Sequence, residues 1–63
     1  MTNSDFLREL ETLSRAANHA DRATASWVRE LIEQAAEFWA HGHDTAAEMY
    51  INQAKQELLA CVS

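Results

Sequence analysis

The chain has 63 residues, a formal net charge of −5 from 10 acidic and 5 basic residues, and one cysteine, Cys61. That length supports one small helical domain, 1–63; a lone cysteine excludes an intrachain disulfide, and the acidic balance speaks against sequence-independent binding to nucleic acid or an anionic membrane, both of which need a basic surface. No apolar run approaches the roughly 20 residues of a membrane span. The polar opening MTNSD reads as a start without a secretion signal, and with the unpaired thiol it points to a cytoplasmic protein.

Twelve alanines, one glycine, no proline and few β-branched residues predict an all-α chain. At the N-terminus, Ser4 is suited to cap a helix, with Asp5 favourable in its first turn. From there Phe6, Leu13, Ala20 and Trp27 recur every seven residues, and Leu10, Ala17, Thr24, Leu31 and Phe38 do so in the complementary phase. Arg8, Arg15, Arg22 and Arg29 keep the same interval. The spacing predicts one long first helix over about residues 5–41, with Trp27 and Phe38 in its buried stripe. The stretch RAANHADRATAS, 15–26, would be its alanine-rich waist. The alternative is a break near 18–24 and a three-helix bundle, because Asn18, His19, Asp21 and Thr24 are mediocre helix formers.

The next break falls at AHGHDTAAE. Gly42 fits the left-handed position after a helix end, and Thr45 with Glu48 forms a capping box. A second helix is expected over about 46–61, with Ala47, Tyr50, Ile51, Ala54, Leu58 and Cys61 inward. At ~1.5 Å per residue the first helix would be about 55 Å long and the second about 25 Å. A helical hairpin of that shape leaves Phe6, Leu7, Leu10 and Leu13 uncovered. A homodimeric bundle, with Phe6, Leu10, Leu13, Ala17, Ala20 and Thr24 at its interface, would bury them. The three-helix alternative buries them within one chain and predicts a monomer.

No catalytic, cofactor-binding or metal-ligating residue is assigned. His41, His43 and Asp44 in HGHD offer two imidazoles on a turn, too few ligands for a stable metal site. Ser14, His19 and Asp21 would share one helix without oxyanion donors. The residues best suited to meet a partner are Glu33 and Glu37, in an acidic ridge with Glu30, together with Trp39 and Tyr50. For Trp39, an exposed anchor and partial burial against the second helix are equally open.

The segment FWAHGHDTAAEMYINQA resembles the turn and second helix of a tetratricopeptide-type hairpin, with Gly42, Ala47, Tyr50 and Ala54 at that repeat's offsets. It stands as a single copy, which implies a close-packed hairpin and a protein-docking role. A short acidic chain opening MTNSDFLRELETL is also similar to the small phage-encoded anti-activators that bind host quorum-sensing regulators. That resemblance implies a non-enzymatic inhibitor in the host cell cytoplasm, acting on a LuxR-type transcription factor, with a pilus-assembly ATPase as a further partner. Plasmid-copy-number regulators of the Rop type share the dimeric hairpin plan. They are the model for the alternative, a nucleic-acid-linked regulator that binds RNA through the arginine row or mimics DNA through its acids.

Overall fold

A computed structural model describes residues 2–62. It contains three helices, α1 (Asn3–Ala17), α2 (Arg22–Ala40) and α3 (Asp44–Val62), with no strand among the described residues. The all-α expectation holds. The two-helix plan is corrected, because the expected first helix over 5–41 is broken at 18–21, the alternative left open by the sequence. The longest dimension is 32 Å, far short of the span a continuous first helix needs.

The break is made by helix-end chemistry. The N–H groups of Asn18, His19 and Ala20 bond back three residues, to the carbonyls of Arg15, Ala16 and Ala17, at 3.1, 3.1 and 3.2 Å. This tightens the last turn of α1. Asp21 then leaves helical geometry (ψ 162°) and caps α2, its carboxylate accepting from the Thr24 N–H at 3.2 Å. The heptad row does not survive the break. In α2 the buried face is Ala25, Val28, Leu31 and Ala35, one residue out of phase at its start. Trp27, expected in the core, is therefore 44% exposed, and Val28 takes its place.

At the first terminus the cap is Thr2 instead of Ser4. Its hydroxyl accepts from the Asp5 N–H at 3.1 Å, and α1 begins at Asn3. The α2–α3 turn is a Schellman motif. The Gly42 N–H bonds to the Trp39 carbonyl at 3.1 Å, and the His43 N–H to the Phe38 carbonyl at 2.8 Å. Gly42 has φ 81°, as its left-handed role requires. The Phe38 and His43 rings meet edge to face, which supplies the side-chain contact across the motif. In place of the Thr45 cap, α3 starts at Asp44, with the Ala47 N–H bonded to the His43 carbonyl at 3.0 Å.

The core runs through all three helices: Phe6, Leu13 and Ala17; Val28, Leu31 and Ala35; Ala47, Ile51 and Ala54. Leu10, Ile32, Phe38, Trp39, Tyr50 and Leu58 pack around it. In α3 the expected stripe is buried at Ala47, Ile51 and Ala54 and half-buried at Tyr50 and Leu58, whereas Cys61 is exposed. The expected dimer interface rested on a bare N-terminal stripe. Folding α1 back on the hairpin buries Phe6, Leu13 and Ala17 and half-buries Leu10, Ala20 and Thr24 within one chain, so that reason for a second copy is gone. Only Leu7 of the four uncovered residues stays largely exposed, at 55%. No helix among the described residues is long and apolar enough to cross a membrane.

Candidate protein-docking surface

The four residues expected to meet a partner do not form one patch. Glu33 and Glu37 are exposed on the outward face of α2, one turn apart. Trp39 points the other way, toward α1. Its ring stacks on Phe6 with centroids 4.2 Å apart and planes 6° from parallel, and its Nε1 donates to Asn3 Oδ1 at 2.9 Å. This side chain fastens α1 and is half-buried. The sequence left its exposure open because the packing partner lies on a helix it did not separate.

Tyr50 lies on the opposite flank. It stacks on Phe38, centroids 5.3 Å apart and planes 14° from parallel. That pair floors a groove between α2 and α3 of about 360 Å³, completed by Ala46, Met49 and Gln53. Two further clefts adjoin it and share residues with it. One runs over the turn from Gly42 to Ala46 and reaches Met49; the other holds Gln34, Glu37, Phe38, His41 and His43. Met49 is 67% exposed on the rim. Sequence reading passed over it because it falls between the inward positions Ala47 and Ile51. A large apolar residue off the buried stripe of its helix was the available signal.

The remaining candidates sit elsewhere. Ser14 and His19 are exposed, on α1 and in the α1–α2 turn. Asp21 is occupied as a helix cap. The Thr24 side chain first, and then the Cys61 thiol, which donates to Asp21 Oδ1 at 3.3 Å, hold its carboxyl below the usual range. Among the described residues no three His, Cys, Asp or Glu side chains converge as a metal-binding group; His41 and His43 line the clefts beside the groove. The arginine row is split by the α1–α2 turn: Arg15 pairs with Glu11, and Arg29 donates to Asn18 Oδ1 at 2.8 Å across that turn.

A second groove, lined by Leu13, Lys55, Leu58 and Leu59, lies between α1 and α3. Compared with known protein families, with characterised proteins and with solved structures, the chain matches none.

Proposed function

We propose that this chain is a non-enzymatic interaction module that binds a regulatory protein in the cytoplasm and inhibits it. The observation that carries the reading is the α2–α3 groove. A rigid aromatic floor, Phe38 on Tyr50, lies beside the flexible and largely exposed Met49. An exposed large apolar side chain beside an aromatic pair is a surface that another molecule can cover. The side chains around it are groups for contact, with polar Gln34, Gln53 and Glu37 at the margins.

The first target to test is a LuxR-type transcription factor, the class implied by the resemblance to small anti-activators, followed by a pilus-assembly ATPase. The test mixes the purified chain with a purified LuxR-type regulator on its operator DNA. Release of the regulator from DNA, with saturable heat of binding in calorimetry, is expected. Unchanged operator occupancy and no binding heat at molar excess of the chain would remove this target. The same result with the ATPase would remove the anti-activator reading.

A further inference from the structure

We propose that the α2–α3 groove docks a basic amphipathic helix of the partner, its apolar side chains on Phe38, Met49 and Tyr50 and its lysines or arginines against the acids around them. The inference rests on the protein-binding reading and gives it a site and a partner chemistry.

Charge separation along the chain carries the choice of occupant. All five Lys and Arg residues are Arg8, Arg15, Arg22, Arg29 and Lys55. Residues 30–54 contain none of them, yet hold Glu30, Glu33, Glu37, Asp44 and Glu48. The other five acids offset the five bases, so the formal charge of −5 is carried wholly by the stretch that builds the groove. Glu37 and Asp44 line the two adjoining clefts. Neither acid has a cationic neighbour in its own stretch of chain, whereas Glu9 and Glu11 elsewhere pair with Lys55 and Arg15.

A surface of one sign draws an opposite charge from a distance and sets its orientation. The apolar floor then supplies affinity, since desolvated aromatic and methionine contacts dominate such interfaces. An extended strand is disfavoured as occupant because every backbone edge here is helical. Two antiparallel helices with a furrow between them instead accept a third helix presenting anchors at i, i+3 or i+4, and i+7. A purely cationic ligand would leave Phe38, Met49 and Tyr50 unused.

The probes are three fluorescently labelled peptides of equal length: a Leu/Lys amphipathic helix, its Leu/Glu counterpart, and oligolysine. Each is titrated into the intact chain by anisotropy, with amide chemical shifts recorded. The Leu/Lys peptide is expected to bind, to weaken with salt, and to shift Ala46, Met49, Tyr50 and Gln53. Met49→Lys, at a position too exposed to unsettle the core, is expected to weaken it by about tenfold or more. Glu37→Lys should weaken it and flatten the salt dependence. Equal affinity for oligolysine and the Leu/Lys peptide, or indifference to Met49→Lys, would overturn the groove as the site. So would preference for the Leu/Glu peptide, or shifts confined to Leu13 and Leu58. If the LuxR-type regulator still binds in any of these cases, the protein-binding reading survives without this site. If the peptides, the regulator and the pilus-assembly ATPase all fail to bind, both readings fall.

Discussion

The α2–α3 hairpin and α1 are joined to the same core by different means. Across the hairpin, Ala35, Ala47 and Ala54 are fully buried beside Val28, Leu31 and Ile51, so the seam between α2 and α3 is built largely from small side chains. The Schellman turn at Gly42 fixes where α3 begins. α1 instead reaches the core through two large side chains, Phe6 and Leu13, and Ala17 at its end. Polar clasps hold its flanks: Asn3 with Trp39, Glu9 with Lys55, and Asn18 with Arg29. A seam spread over many small contacts tolerates the loss of one. An attachment concentrated in a few side chains does not.

The most direct way to break that contrast is Phe6→Ala. Phe6 is 1% exposed and stacks on Trp39, so its truncation removes both core volume and the aromatic clasp. Losses of this kind cost about 3–5 kcal/mol, which rivals the roughly 3–5 kcal/mol that so small a core supplies in total. Thermal unfolding by circular dichroism should lose its cooperative transition, with Trp39 fluorescence shifted toward that of a solvated indole. A midpoint lowered by only a few degrees would mean that α1 is held mainly by its polar clasps. In the native chain, hydrogen exchange should reach the α1 amides before those in the middle of α2 and α3.

Gly42→Ala tests the other side of the comparison. A methyl group there meets nothing within 4 Å, so its cost comes from the left-handed backbone at φ 81° alone. About 1–2 kcal/mol is expected, read as a lower denaturation midpoint with an unchanged m-value. Gly42→Asn should recover part of the loss, since Asn tolerates this conformation. Equal damage from Ala and Asn would place the cost outside the backbone.

A smaller effect belongs to the corner between the two regions. Asp21 caps α2, and hydrogen bonds from Thr24 and Cys61 lower its pKa. A carboxyl whose folded pKa lies below its unfolded value adds stability that is complete above the unfolded pKa and lost as pH falls through the folded one. Asp21→Asn keeps a capping oxygen and removes the charge. The difference in melting temperature between the two chains should therefore be present near neutrality and shrink as pH falls below about 4. A gap that stays constant through that range would assign it to packing.

Much of this arrangement was legible in the residues, and the lapses have local causes. Helix content, the glycine turn and the inward face Ala47, Ile51 and Ala54 follow from propensity, positive φ and 3–4 spacing. The α1–α2 break was visible only as a rival to the heptad row. Short-range bonds at Asn18 and Asp21 decided it, and they outweigh a row whose middle members, Ala20 and Thr24, contribute little burial. Of the residues expected to meet a partner, Tyr50 lies in the α2–α3 groove and Glu37 in the cleft beside it, whereas Trp39 packs on Phe6. Once the break is made, α1 lies over the hairpin, and Trp39 meets Phe6 and, 36 positions back, Asn3, a pairing that periodicity alone does not supply. Phe38 was placed by its helix phase and Met49 was passed over, because phase distinguishes inward from outward but says nothing of a furrow shared by two helices.

The Lys55–Glu9 pair gives the finest test, because it is the one ion pair described between α1 and α3. Its Nζ and Oε1 are 3.1 Å apart, and the side chains keep 43% and 33% of their exposure. Water screens charges so placed, and pairs of this kind give about 0.2–1 kcal/mol. Lys55→Met retains an aliphatic stem beside the groove that Leu13 and Leu58 also line, while removing the charge. A double-mutant cycle with Glu9→Gln should return a coupling in that range, shrinking as salt is added. Amide exchange in the first two turns of α1 should quicken in either single variant, with α2 and α3 unchanged. Faster exchange spread evenly over all three helices would mean that α1 and the hairpin open as one unit, and the division drawn between them would fall.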